Sequence, residues 1–214
     1  MTKTGLLGGS FNPGHRGHRQ LSINALEALG LDEVWWLVSP GNPLKPAEGM
    51  AALERRFASA RAAARGLPIR VTAVERDLGT RYTADTLEAL RRRYPQRQFI
   101  WLMGSDNLAQ FHLWREWRKI ARTVPIAVVS RPGYDAPAHS ARAMGWLRGF
   151  VRPEGQARHW TKWKPPALVL LRLPPDPTSA TALRALNPNW HGRLRTALAA
   201  VPSSVRRALD RSSH

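Results

Sequence analysis

The sequence predicts an α/β protein: a Rossmann-like, doubly wound parallel sheet in a single domain, with helices closing its C-terminal end. Three observations carry this expectation. Short apolar runs alternate with segments of helical period along most of the chain, which is the pattern of strand–helix–strand units over a parallel sheet. A glycine-containing turn follows the first apolar run directly and leads into a helix. The chain has 214 residues, 43% of them hydrophobic, enough for one large core without demanding a second.

The elements follow in order. Residues 4–7 form a short apolar run that reads as a first strand, and residues 20–29 have the spacing of an amphipathic helix. Residues 33–38 predict a second strand and 51–65 a helix; residues 69–74 predict a third strand and 83–94 the next helix. Residues 98–103, 125–129 and 167–173 read as three more strands. Two stretches are irregular. Residues 40–49 hold three Pro and two Gly, which predicts a long loop after the second strand. Residues 152–166 are basic, hold Trp160 and Trp163 and end in Pro165-Pro166; they predict a surface excursion whose tryptophans are buried against the domain. Residues 187–209 read as two helices broken at Pro202, part of a helical cap spanning about residues 179–210. In sheets of this kind ligands bind beyond the carboxyl ends of the strands, where the strand order reverses. The strand ends at Gly8, Ser39, Gly104 and Ser130 are expected to share that rim.

Composition narrows the function classes. The formal charge is +18, a common footprint of nucleic-acid binding. The Lys and Arg residues are spread along the whole chain, however, and no zinc finger or RNA-binding aromatic motif accompanies them. The charge is therefore assigned to steering of small anionic substrates or to background, rather than to a nucleic-acid site. No run of about 18 apolar residues is present, so no membrane span is expected. The first strand begins almost at once, which leaves no room for a signal peptide, and there is no Cys. A cytoplasmic location is the expectation.

The segment Gly8-Gly9-Ser10-Phe11-Asn12-Pro13-Gly14-His15-Arg16-Gly17-His18 is the most informative part of the chain. Glycines let backbone amides approach a ligand, and the helix that follows adds the partial positive charge of its N-terminus. Such a turn suits a polyphosphate. His15 and His18 stand at the helix mouth, where imidazole donors can reach the same phosphate oxygens. The segment is not a Walker loop, because no Gly-Lys-Ser/Thr follows, and its glycine spacing is not that of a dinucleotide fingerprint. With no Cys and seven His, a closed zinc site is not the reading either.

These residues resemble the signature of the nucleotidyltransferases that carry a His-x-x-His or His-x-Gly-His site. Within that group the chain resembles the bacterial nicotinate-nucleotide adenylyltransferases. Three further segments carry the likeness: Arg81-Tyr82-Thr83-Ala84-Asp85-Thr86-Leu87, Gly104-Ser105-Asp106 through Trp114, and Ser179-Ala180-Thr181-Ala182-Leu183-Arg184. Their order and spacing cover nearly the full length. Asn12 stands where the family more usually has Asp, and Leu44 replaces the His that often precedes the basic residue of the proline-rich loop.

The resemblance implies transfer of the adenylyl group of ATP to nicotinate mononucleotide, giving nicotinate adenine dinucleotide and pyrophosphate, a step of NAD biosynthesis. It implies catalytic roles for His15, His18 and Arg184. ATP would be bound by Gly8, Gly9, Ser10, Phe11, His15, His18, Asp106, Ser179, Thr181 and Arg184, with the segment from Ser130 to Tyr134 on the adenine side. Lys45, Tyr82, Thr83 and Trp114 would bind nicotinate mononucleotide. Mg²⁺ is expected to be held mainly by the ATP phosphates, with no dedicated protein ligands. Ser179 and Asp106 are also ordinary helix-cap candidates, a role compatible with binding. The alternatives left open are an adenylyltransferase of the same fold acting on nicotinamide mononucleotide or phosphopantetheine, and, in a different class, a basic nucleic-acid-binding protein. An oligomer is possible.

Overall fold

The apolar runs become the strands of one parallel sheet. The computed structural model describes residues 1–41, 49–130, 133, 135–172 and 178–191. Along them run β1 (Thr2–Gly9), α1 (Arg16–Leu29), β2 (Glu33–Val38), α2 (Leu53–Ala64), β3 (Ile69–Thr72), α3 (Val74–Asp77) and α4 (Thr83–Arg93). Then come β4 (Arg97–Gly104), α5 (Ser105–Gln110), α6 (Trp117–Thr123), β5 (Ile126–Val129), α7 (Asp135–His139) and α8 (Met144–Leu147). The last are β6 (Val151–Arg152), β7 (Leu168–Leu171) and α9 (Ala180–Leu186). The strands stand in the order β3-β2-β1-β4-β5-β7-β6, and every neighbouring pair is parallel.

Side chains alternate across each strand, so the sheet feeds two cores. Leu6, Trp35, Leu37, Phe99, Trp101 and Met103 pack on one face with Leu87 and Leu90 of α4 and with Ile120 of α6. Leu7, Trp36, Val38, Ile100 and Leu102 pack on the other with Leu29 of α1 and Phe57 of α2. Helices α1 and α4 therefore cover opposite faces. The strand order turns back between β1 and β4, and their carboxyl ends open a crevice between the two helical layers. Doubly wound sheets bind ligands at such a switch point.

Several boundaries differ from the sequence expectation. β1 runs through Gly9, with Gly8 opposite Leu37 and Gly9 opposite Val38, so the two glycines are strand residues and not part of the turn. Packing explains Gly8: a Cβ there would lie 2.5 Å from the Trp101 ring. Helix α1 starts at Arg16, four residues before its apolar period, because its first turn is polar and is capped by His15. The third strand stops at Thr72, and residues 74–77 turn into α3. Short helices α5 to α8 have too few turns for a periodic signal and were not expected.

Residues 152–166 are more ordered than expected. Residues Glu154–Lys162 wind into a 3₁₀ helix that leads from β6 back to β7. Trp160 is 2% exposed and donates its indole N–H to the Leu29 carbonyl at 3.1 Å, which fastens this segment to the end of α1. Trp163 packs half-buried against the same core. Of the expected C-terminal helices, residues 187–191 leave α9 in a turn; the remainder, with Pro202, lies outside the described residues. No helix among the described residues is long and apolar enough to cross a membrane.

Candidate active site at the β1–β4 crevice

Between β1 and α1 the chain turns sharply. Phe11 takes a left-handed backbone, φ 48°, and its ring is buried, stacked on Trp36 at 5.0 Å. The side chain of Phe11 is thus a core group, and any contact it makes with nucleotide is through its backbone. Ser10 points a buried hydroxyl into the turn, with no hydrogen-bond partner in the structure, so an incoming oxygen can be accommodated there.

His15 is the N-cap of α1 and His18 is the third residue of the helix. The His15 Nδ1 accepts from the Gly17 N–H at 3.0 Å, and the His18 Nδ1 accepts from the His15 N–H at 3.4 Å, a reciprocal capping box built from two imidazoles. A neutral imidazole whose Nδ1 accepts must carry its proton on Nε2. Both rings are thereby set as Nε2 donors at a positively polarised helix end. Their centroids are 3.9 Å apart. Phe11 at 4.6 Å and Trp36 at 5.8 Å pack the His18 ring in place. Behind it, Trp36 Nε1 donates to Ser22 Oγ, which donates to the His18 carbonyl.

The C-terminal segment docks on this turn. Arg184 donates to the Asn12 carbonyl at 2.7 Å and to Thr181 Oγ1 at 3.3 Å. Ser179 caps α9, accepting from the Ala182 N–H at 3.1 Å. Gly17 makes the approach possible, because a Cβ there would stand 2.6 Å from the Thr178 carbonyl oxygen. His15, His18, Ser179, Thr181 and Arg184 therefore meet at the end of β1. Asp106 lies at the end of β4, the strand paired with β1, in the first turn of α5. Gly104, not Asp106, caps that helix.

A second cluster lies across the crevice. Tyr82 caps α4, whose ladder begins at Thr86 N–H to the Tyr82 carbonyl, so the amides of Thr83, Ala84 and Asp85 have no acceptor within the helix. Trp114 is half-buried, edge-on to Trp101 at 6.2 Å and to Phe111 at 5.5 Å. Next to it, the Arg115 guanidinium lies 4.4 Å from the Tyr82 ring and joins the two pieces. Lys45 lies outside the described residues, as do Arg131, Pro132 and Tyr134 of the segment expected on the adenine side.

Two buried ionisable residues escaped the sequence reading. Arg56, 1% exposed, donates to the carbonyls of Ala51, Ser10, Ser39 and Pro40 at 2.7 to 3.2 Å. It ties the turn after β1 to the end of β2 and to both ends of the proline-rich loop. Burial pulls its guanidinium below the ordinary value, and the Glu54 charge opposes this. Its signal was present: Leu53, Arg56, Phe57, Ala60 and Ala64 share the buried stripe of α2. Asn12 belongs with it, donating to the Gly49 carbonyl and accepting from the Ala51 N–H. An ionised Asp at position 12 could accept but not donate, so the departure from Asp is explained by the loop tether.

Glu75 on α3 is the other. Burial pushes its carboxyl up to about 7, while hydrogen bonds from the Ser39 and Thr86 side chains act in the opposite direction. The consequence for stability has a definite sign. The unfolded chain loses this proton near 4.5, whereas the folded chain keeps it to about 7. Folding is therefore favoured at low pH by this group, and that advantage falls away as pH rises from 4.5 to about 7. The Glu75→Gln variant lacks the titration. Its stability relative to the wild type should improve by up to about 3 kcal/mol between pH 5 and pH 8. Urea unfolding at both pH values measures this; a pH-independent difference would contradict it.

The fold and the paired imidazoles define a class, and comparison agrees with it. The cytidylyltransferase-like family model matches residues 6–186. A protein of Erythrobacter litoralis named "Probable nicotinate-nucleotide adenylyltransferase" is 61% identical over 92% of this chain and 90% of its own length. One of the same name from Cereibacter sphaeroides is 47% identical over 88% of this chain and 97% of its own. Nicotinic acid mononucleotide adenylyltransferase of Plasmodium falciparum, solved in complex with NaAD, shares the fold at TM-score 0.62 and 16% identity, over 86% of this chain and 83% of that one. The chain belongs to the cytidylyltransferase-like family and, within it, to the nicotinate-nucleotide adenylyltransferases.

Proposed function

We propose that the protein transfers the adenylyl group of ATP to nicotinate mononucleotide, forming nicotinate adenine dinucleotide and pyrophosphate in NAD biosynthesis, as one nucleotidyltransferase domain. The observation that carries this reading is the pair of imidazoles at the N-terminus of α1, both held as Nε2 donors beside Arg184 at the switch point of the sheet. An oxygen of the mononucleotide 5′-phosphate attacks the α-phosphorus. One P–O bond forms, the bridge between α- and β-phosphorus breaks, and pyrophosphate leaves. Both reactants are anions, so fixed donors and in-line placement are what the protein must supply.

His18 faces the α-phosphate and His15 the adjoining oxygens, while Arg184 takes the β- and γ-phosphates. Ser179 and Thr181 add donors at the start of α9. The ends of β1, from Gly8 to Phe11, offer backbone to the nucleotide, and Asp106 accepts from a ribose hydroxyl. Lys45 would add a cation for the mononucleotide phosphate. Mg²⁺ would arrive with ATP, with the triphosphate and water as its expected ligands. A cytoplasmic location, where ATP is supplied, completes the proposal. Pyrophosphate release from ATP and Mg²⁺ tests it, with nicotinate mononucleotide, nicotinamide mononucleotide and phosphopantetheine compared; activity on phosphopantetheine alone would overturn it.

The acid is preferred to the amide on physical grounds. The unbonded first amides of α4 and the helix dipole favour a carboxylate, which accepts at both oxygens. A carboxamide would turn its NH₂ toward a donor, at a cost of roughly 1–3 kcal/mol. Trp114 stacks on the pyridine and cannot tell the two apart. The expected preference for nicotinate mononucleotide is at least about tenfold in kcat/KM, the low end of that cost. Equal values would contradict it. Trp114→Ala should weaken both substrates alike.

A further inference from the structure

Two guanidiniums lie over the Tyr82 ring, that of Arg115 at 4.4 Å from its centroid and that of Arg81 at 6.0 Å. Tyr82 is the N-cap of α4, so Arg115 stands beside the helix end whose first amides have no acceptor within the helix. The backbone fixes this place. Trp114 and Trp117 both pack edge-on to Phe111, and the Trp117 N–H donates to the Trp114 carbonyl at 3.1 Å. That bond closes a tight turn with Arg115 and Glu116 at its corners, and Glu116 completes it with a left-handed backbone, φ 53°. The neighbouring carboxylates are drawn elsewhere: Glu88 and Glu116 both pair with Lys119, at 3.2 and 3.9 Å. No carboxylate pairs with Arg115 among the described residues. Asp85 is the acidic residue in the first turn of α4, and the two arginines outnumber it.

The two mononucleotides differ in charge at the ring. In both, the pyridine nitrogen is bonded to the sugar and is cationic. In the acid a carboxylate balances that charge within the ring system, whereas in the amide it stays uncompensated. From this arrangement we infer, on the reading of the α4 cap and Trp114 as the pyridine subsite, that Arg115 is a specificity-determining residue: its side chain attracts the nicotinate carboxylate and repels the uncompensated pyridinium of the amide. A guanidinium stacked on an aromatic face keeps its in-plane N–H donors free for a carboxylate and is already ordered. The α4 amides favour the acid by attraction; Arg115 adds repulsion of the competitor, and discrimination is sharpest when both are present. Trp114 stacks on either ring and takes no part in the choice.

Steady-state kinetics of the full chain with ATP and each mononucleotide tests this in Arg115→Lys, Arg115→Gln and Arg115→Glu. Both mononucleotides carry the same 5′-phosphate, so the ratio of their kcat/KM values cancels any general effect on phosphate binding or folding. Arg115→Gln should lower the acid-over-amide ratio about threefold to fivefold, the upper range for an ion pair open to solvent. The loss should fall on KM for the acid, with KM for the amide unchanged or lower and KM for ATP within about twofold of the wild type. Arg115→Lys keeps the charge and should hold most of the ratio, while Arg115→Glu reverses it and should lower the ratio beyond Gln. A role confined to packing on Tyr82 produces no such order by charge. A ratio in Arg115→Gln within about 1.5-fold of the wild type would overturn the inference, being less than one exposed ion pair can contribute. So would an equal loss for both mononucleotides, or a ratio that does not follow the charge at position 115. Equal use of acid and amide by the wild-type protein would overturn the pyridine-subsite reading itself, and the role of Arg115 with it.

Discussion

His18→Ala should lower kcat by about 10²–10³ with little change in the KM for either nucleotide, because what is removed is a donor aimed at charge that develops in the transition state. The imidazole is positioned from three sides: its Nδ1 accepts the His15 N–H, and Phe11 and Trp36 pack its faces. Little reorganisation is left for the moment of reaction, which is the condition under which one hydrogen bond is worth that much. Turnover by a folded His18→Ala protein within about threefold of the wild type would remove His18 from the chemistry. His15 is a less clean probe. Its Nδ1 also caps α1 through the Gly17 N–H, so His15→Ala adds about 1 kcal/mol of lost stability to any catalytic effect.

The parts of the fold and site that were legible in the sequence are those set by local pattern. β2 matches its expected bounds to the residue, since Val34–Val38 is an uninterrupted apolar run between turns. The helix-mouth histidines were found because a strand, a glycine-containing turn and a helix succeed one another within eighteen residues. Glycine misled at the end of β1: its weak strand preference suggests a turn, yet here the Trp101 ring occupies the space of a Cβ at Gly8. Contacts between distant segments left no local trace. The Arg184 bond to the Asn12 carbonyl spans 172 positions, and resemblance alone pointed to Arg184. Glu75 sits on a four-residue helix with no period to read, so its burial between β2 and α4 is visible only in three dimensions. Arg56 differs, because a charge on the apolar stripe of α2 can be seen in the sequence, although not what it bonds.

That stripe position makes Arg56→Met a severe change. Met fills most of the volume and removes the cost of a buried charge, but it leaves the carbonyls of Ser10, Ser39, Pro40 and Ala51 without the guanidinium that served them. Each buried acceptor left unmade costs roughly 1–3 kcal/mol, and water can reach only some of them. The relief from desolvation offsets part of this. A net loss of about 3 kcal/mol is expected in urea unfolding. Arg56→Lys should recover only part of it, since an ammonium keeps the charge but cannot span carbonyls on three separate segments. The loss should also reach function. Ser10 lies in the turn after β1 that is proposed to hold phosphate, while Pro40 and Ala51 flank the proline-rich loop, so slackening their common tether should raise KM for ATP and for the mononucleotide together. Stability of Arg56→Met within about 0.5 kcal/mol of the wild type, the scatter of neutral surface changes, would show that the four carbonyls find other donors and that Arg56 is not the tether.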